Sequence, residues 1–420
     1  MTTKEQKHRR EDALAQETGF HTFAAIVASV PVPDDLLRSI LSEHRVRACC
    51  RLNSVRSGII AGREPRHVLT LLHPLKWWRT AKTVKGWTTP GQQNIIGPDC
   101  CEEIRVIGTE YRISGHESFP CRYTWLPKAV RGLAADSTLF ADEERAMVDL
   151  GVGKNMVRSI RFWSFATGMA TVASRGAGPS LTELAVTLLG KGGLDPFLED
   201  RRTLWLIHWN LSTNVENPLL AWDYLLNRWQ EPELIPSAAI KALQRAGASQ
   251  GSRISQTTLE QHFDAFLHTY VPTRGRKGDV QEDNLDCPLV ELQLIVKVGE
   301  REIERSSGKR EPIYVFRREE KPDITPELFV YCLNDFWQQR HINERTLPLR
   351  EIAHGYGSPG QVFKLAEEDV LARVEDLARR SSGLFVYNES ASLQQIRKTG
   401  EGKRITLLKT IYSAEGVEHA

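Results

Sequence analysis

The sequence predicts a mainly α-helical protein with small β ribbons, built from tandem winged-helix or helix-turn-helix-like modules. Three observations lead there. Residues 140–189 read as helix, glycine turn, basic helix, short ribbon and helix, the order of a helix-turn-helix followed by a wing. Apolar stripes at helical spacing recur through 203–229, 255–271 and 326–340. Residues 367–388 repeat the theme of a helix followed by a strand.

At 420 residues, with 41% hydrophobic and 26% charged content, the chain has material for two or three cored domains. No apolar run reaches membrane-spanning length, and no positive region followed by a short apolar run opens the chain, so a cytoplasmic protein is expected. The 7 cysteines include two adjacent pairs but no CxxC spacing, which favours reduced thiols over a zinc site or a disulfide framework. The net charge of +2 hides an asymmetry. Residues 1–105 hold 16 Lys+Arg and 11 Asp+Glu, a net of +5, and the rest holds 39 and 42, a net of −3. Any nucleic-acid contact in the body must therefore be a local patch.

Taken in order, residues 1–105 lack sustained period. They read as a basic DNA-binding arm with Trp77, Trp78 and Trp87 for base stacking, or as translated sequence upstream of the true start; the second is our expectation. A first module, 106–235, holds a helix from about Arg122 to Leu133 and then the 140–189 unit. There Gly151 and Gly153 make the turn, Val157, Ile160, Phe165 and Met169 face a core, and Arg175 with residues 176–179 forms the wing. Lys154, Asn155, Arg158 and Arg161 fall on one face of the second helix. That face reads either as a DNA-groove surface or as the solvated side of a helical core segment. As a DNA reader, Asn155 suits adenine and Arg158 guanine in the major groove, and Arg161 suits phosphate. Helices at 203–212 and 219–229 carry Trp205, Trp209, Trp222 and Trp229 as core knobs, with His208 as a packed, hydrogen-bonded core histidine.

A second module, 236–325, opens with a helix at 237–245. Ser255 then caps a helix running to Val271, giving either a plain αα-hairpin or a second helix-turn-helix read through residues 255–258. Arg274, Arg276 and Lys277 make a loop that serves as a DNA-backbone clamp or is simply solvated. Residues 299–312 read as a charged, solvated connector. A third module, 326–398, comprises the helix at 326–340, a long amphipathic helix at 367–380 and a strand at 383–388; a tail, 399–420, ends the chain.

Five motifs, GHESFPCRYTWLPK, LGVGKNMVRSIRFW, DPFLEDRRTLWLIHW, EDNLDCPLVELQLI and GSPGQVFKL, follow one another between about Ser114 and Lys398. In this order and spacing the chain resembles the SspB-like family of bacterial DNA phosphorothioation-associated proteins. The first hundred or so residues do not match that family. The resemblance implies a role in nicking or handling double-stranded DNA, alongside a cysteine desulfurase, an ATP pyrophosphatase and an ATPase. It assigns no catalytic residue.

Replacing a phosphate oxygen by sulfur requires access to the backbone, which a nick provides. Nuclease chemistry uses carboxylates on a divalent cation, here magnesium or manganese, or a histidine that activates water. Three clusters are candidates. His116 and Glu117 precede a helix, and read equally as a buried anchor and a cap. Asp286 and Glu291, with Asp283, flank Cys287 and Pro288; there Asp286 reads equally as a cap and Glu291 as solvated. Asp195, Glu199 and Asp200 form the third cluster, with Asp195 read as a helix cap. None has the PD-(D/E)xK spacing or an HNH arrangement. The resulting expectation is a DNA-binding component of a phosphorothioation system that nicks DNA, with its standing as an enzyme left open. The alternatives are a non-catalytic adaptor that recruits the sulfur-transfer enzymes, and a winged-helix transcriptional regulator, for which a homodimer is expected.

Overall fold

The computed structural model describes residues 111–172, 178–248, 254–272, 287–303, 310–390 and 393–413. The expectations for residues 1–105, for Arg175, and for Arg274, Arg276, Lys277, Asp283 and Asp286 lie outside them. The described chain is mainly helical, with small antiparallel sheets. Among the described residues no helix is long and apolar enough to cross a membrane.

The chain opens with α1 (Trp125–Ala135), α2 (Glu143–Leu150) and α3 (Lys154–Ala166). Asp142 caps α2 by accepting from the amides of Glu144 and Arg145 at 2.9 and 3.2 Å. Gly151 ends α2 at φ 64°, a left-handed position where a side chain would be strained, and the Val152 amide reaches back to the Met147 carbonyl. A two-stranded ribbon follows, β1 (Ala170–Val172) against β2 (Pro179–Leu181), and then α4 (Glu183–Leu189), capped by Thr182. Next come α5 (Arg201–Thr213), α6 (Leu220–Asn227), α7 (Pro236–Ala248) and α8 (Gln256–Tyr270). Ser255 caps α8 as expected, accepting from the Thr258 amide at 3.1 Å, and α7 packs on α8.

The charged stretch 299–312 departs from expectation, because both of its ends lie in strands. After a 3-10 turn at Pro288–Leu292, β3 (Ile295–Glu302) pairs with β4 (Arg310–Phe316). Charges that read as solvated are paired across the hairpin or along it, Arg301 with Glu311 at 3.1 Å and Lys297 with Glu300 at 2.6 Å. Glu311 also accepts from the Ser237 amide and hydroxyl, tying the hairpin to the start of α7. The last part comprises α9 (Pro326–Arg340), β5 (Thr346–Pro348), α10 (Leu349–His354), α11 (Pro359–Phe363), α12 (Glu367–Glu375), α13 (Leu377–Arg380), β6 (Phe385–Ser390), β7 (Leu393–Lys398) and α14 (Arg404–Ser413). Its three strands lie in the order β5-β7-β6. The single helix expected over 367–380 is broken at Asp376, whose carboxylate turns to Arg379 and Arg380.

One hydrophobic cluster runs through these elements, from Cys121 to Ile411. The four tryptophans at 205, 209, 222 and 229 are buried in it, as their spacing predicted. Rings meet edge to face in a continuous ladder, Phe162–Trp163–Trp222–Phe266–Tyr270–His208–Trp205–Phe363, with centroids 5.1 to 5.7 Å apart. It joins α3 to α11. Asp223 of α6 is a second tie. It accepts from the Tyr111 hydroxyl at 2.7 Å and from the Tyr356 hydroxyl, and lies 3.3 Å from Arg228.

Of the four buried histidines among the described residues, His116, His208 and His262 belong to this part of the interior. His208 meets the Tyr270 hydroxyl at 2.8 Å and the Val362 carbonyl at 3.1 Å. A carbonyl only accepts, so Nε2 carries the proton and Nδ1 accepts from Tyr270. His262 Nε2 accepts from the Ala221 amide at 3.1 Å, His262 Nδ1 stands 3.2 Å from His116 Nε2, and the Ser118 amide donates to His116 Nδ1 at 3.2 Å. Burial in each case pushes the imidazole down, to about 4 for His116 and His208 and to about 3 for His262.

Two predictions follow from this packing. Asp223→Ala leaves two hydroxyls and Arg228 without their shared carboxylate, and should lower the unfolding free energy by about 3 kcal/mol in urea titration. His116, His208 and His262 are neutral when folded and take up protons on unfolding below about pH 6.5. The unfolded state then binds more protons, so stability is full above about pH 6.5 and falls as pH drops toward about 4, by about 1.4 kcal/mol per pH unit for each histidine. Urea titrations across that interval measure the slope, and His262→Gln should flatten it.

Candidate nucleic-acid interface

The basic face of α3 is held out to solvent by the burial of its opposite face. Val157, Ile160 and Met169 enter the core as expected, and Phe162 and Trp163 go in with them. Phe165 is half-buried. Two side chains fasten the helix to the preceding loop. The Ser159 hydroxyl donates to the His116 carbonyl at 2.8 Å, and the Trp163 indole donates to the Phe119 carbonyl at 3.0 Å. Lys154, Asn155, Arg158 and Arg161 are left exposed on one stripe.

The four residues of that stripe differ in their surroundings. Glu143, in the first turn of α2, reaches across the turn to two of them. Its carboxylate lies 3.1 Å from Lys154 Nζ and accepts from Arg158 Nε at 2.8 Å and Nη2 at 3.2 Å. Hydrogen bonds from Arg158 and Lys154 hold the Glu143 carboxyl down to about 2. Arg161 has no ion-pair partner among the described residues; instead a second cation stands near it. Arg112 lies over the Phe162 ring at 4.1 Å, and its guanidinium is pushed down by burial first and by the Arg161 charge second. Arg112, Arg161, Arg158 and Lys154 thus share one side of the molecule. Glu117, whose charge favours the protonated form of Arg158, adds a carboxylate beside them.

Sequence reasoning reached the stripe itself but not Glu143 or Arg112. Glu143 carried a weak signal, as an acid just inside a capped helix that precedes a tight turn. Arg112 carried none, because its place over Phe162 is a tertiary contact.

The candidate catalytic residues are placed as follows. His116 is buried, stacked on His262 and edge-on to Phe162. It is the hydrogen-bonded anchor of its loop, and solvent does not reach the ring as it would for a group activating water. Glu117 is exposed, at φ 49°, next to Ser118 at φ 65°. Such left-handed positions cost about 1 kcal/mol or more each in non-glycine residues, and the bonds from Ser159 and Trp163 hold the loop in place. Glu291 is exposed; it accepts from the Tyr123 hydroxyl, and its backbone carbonyl takes Arg201 Nη2 at 2.9 Å. Asp195 accepts from the amides of Glu199 and Asp200, and Asp200 caps α5, so two members of the third cluster serve the backbone. No contact joins Glu117 to Glu291. Among the described residues no three His, Cys, Asp or Glu are grouped to hold a metal ion.

Comparison with known proteins places this architecture. No curated protein matches the chain. Two solved structures share its fold. One is a magnesium ion-bound SspB crystal structure, at 24% identity and a TM-score of 0.60, covering 72% of this chain and 87% of that one. The other is an SspB crystal structure at 24% identity and a TM-score of 0.62, covering 73% and 88%. The likeness to SspB that the ordered motifs implied is therefore present in the fold. A family model described as a protein of unknown function, DUF4007, matches residues 113–412. The chain belongs to the DUF4007 family.

Proposed function

We propose that this protein is the double-stranded-DNA-contacting component of a DNA phosphorothioation system. The observation that carries the reading is the exposed cationic stripe of α3, presented after a tight turn on a fold shared with SspB. The order of elements supports it. The succession α1, α2, turn, α3 and the β1–β2 ribbon follows that of a winged helix, with α3 in the reading position. The C-terminal part, with α9 before β5, helices α10 to α13 between β5 and β6, and strand order β5-β7-β6, reads as a larger unit of the same kind with its first strand included. In this reading Lys154, Asn155, Arg158 and Arg161 meet the duplex, and Arg274, Arg276 and Lys277 serve as a further backbone clamp. The expected partners are a cysteine desulfurase, an ATP pyrophosphatase and an ATPase.

Nicking of the DNA is a second reading. It is favoured by the magnesium ion bound in one of the related SspB structures. The described residues do not offer a three-ligand set for such an ion, so no cleavage step follows from them. Glu117 and Glu291 are the exposed carboxylates of the candidate pairs, and Asp286 is the third group for mutation.

Two experiments test these readings. Arg161→Ala should weaken binding to any duplex and reduce the salt dependence of the affinity by about one unit of slope, read by fluorescence anisotropy at several salt concentrations. An unchanged affinity and slope would remove the α3 assignment. For nicking, supercoiled plasmid is incubated with the protein, with and without magnesium or manganese. Metal-dependent relaxation that is lost in Glu117→Ala or in Asp286→Ala/Glu291→Ala supports a nickase. Bound plasmid that stays supercoiled leaves the adaptor role.

A further inference from the structure

The tie between Glu143 and Arg158 has a consequence for how this face would select its DNA, and the argument rests on the DNA-contacting role given above. A guanidinium has five N–H groups in one plane. In Arg158 the side edge is occupied, since Nε and Nη2 donate to the two oxygens of Glu143 at 2.8 and 3.2 Å. Nη1 and the outer hydrogen of Nη2 remain. They form the end edge, with two parallel donors spaced to meet the O6 and N7 acceptors of guanine in the major groove.

The buttress stands on a different element from the residue it holds. Glu143 belongs to the first turn of α2, where the helix N-terminus also favours a carboxylate. Arg158 belongs to α3, across the Gly151 turn. A long side chain fixed in this way loses less freedom when it meets a base. The carboxylate also discriminates between the two kinds of acceptor DNA offers. A phosphate approaching Arg158 meets the negative charge of Glu143 at close range, whereas the edge of a guanine is neutral. Arg161, with no carboxylate partner among the described residues and Arg112 nearby, has the opposite setting and suits phosphate.

We propose that Glu143 is a specificity-determining positioning residue, which holds the outer edge of Arg158 for a guanine in the major groove of duplex DNA and keeps it from phosphate. Lys154 lies 3.1 Å from the same carboxylate and helps to fix its position.

The test starts with selection of duplexes from a randomised pool by the wild-type full-length chain. Affinities for the selected duplex and for a scrambled one are then measured by anisotropy for wild type, Glu143→Gln, Glu143→Asp, Arg158→Ala and Arg161→Ala, each checked by thermal melting. The expected pattern begins with a guanine fixed at one selected position. Glu143→Gln should bind the scrambled duplex several-fold more tightly and lose about ten-fold in discrimination at that guanine, as one bidentate base contact is worth. Glu143→Asp, which keeps the charge but shortens the reach, should lose discrimination without the gain on scrambled DNA. Arg158→Ala should lose the same discrimination. Arg161→Ala should weaken both duplexes equally.

Full discrimination retained in Glu143→Gln and Glu143→Asp, with Arg158→Ala losing it, overturns the role of Glu143 and leaves the DNA-contacting role standing. Selection without a guanine preference also overturns it. Unaltered binding in both Arg158→Ala and Arg161→Ala removes the underlying assignment of α3, and this inference with it.

Discussion

The carboxylate of Asp223 is the point on which the rest of the molecule depends. It is buried, so its charge must be met by donors, and these come from widely separated stretches of chain: Tyr111, Arg228 and Tyr356. The guanidinium groups of Arg228 and Arg340 lie 4.6 and 4.3 Å from the centre of the Tyr356 ring. Arg340 can come that close because residue 357 is glycine, where a Cβ would stand 2.6 Å from Arg340 Nε and where φ is 76°. At the other end, Tyr111 begins the segment whose next residue exchanges backbone hydrogen bonds with Pro218 and Leu220. That segment brings Arg112 over Phe162. One buried charge therefore joins the glycine-rich HGYGSPG turn of the C-terminal part to the edge of the cationic face on α3.

Within this frame, polarity is divided sharply between interior and surface. Inside, His116, His208 and His262 are held down by burial and hydrogen-bonded to their neighbours. The buried Lys364 is shifted in the same direction. Its amine donates to the Leu226 carbonyl over the Phe316 ring, and burial pushes it down to about 7. Outside, on α3, neighbouring side chains of one type stand in different surroundings. Arg158 faces the Glu143 carboxylate, whereas Arg161 has no ion-pair partner among the described residues.

Much of the helical framework was legible in the sequence, since it is set by local period and caps. The tryptophan spacings placed four indoles in the core, Ser255 announced the start of α8, and the apolar run 326–340 gave α9 its full length. The exposed stripe of α3 was legible for the same reason. Features that depend on partners far along the chain were not. The β3–β4 hairpin read as a solvated connector because its charges reveal their pairing only once the strands face each other. The break at Asp376 reflects local ion pairing that competes with helix continuity. His116 was open to two readings, and only the arrival of His262, 146 positions away, makes it an anchor. The Glu143–Arg158 tie spans a turn whose geometry sequence period does not specify.

The aromatic ladder from α3 to α11 also gives the molecule an optical signature. Its indole rings are almost wholly removed from water and fixed at steep angles to their neighbours. Transition dipoles held in such an asymmetric array couple, and the near-ultraviolet circular dichroism of this chain should be intense and sharply structured. That signal belongs to the packing and not to the helices. A loosened core with its helices intact would lose the near-ultraviolet bands while keeping the far-ultraviolet ones. The ladder thus serves as a built-in reporter that separates a variant with altered contacts from one whose interior has melted.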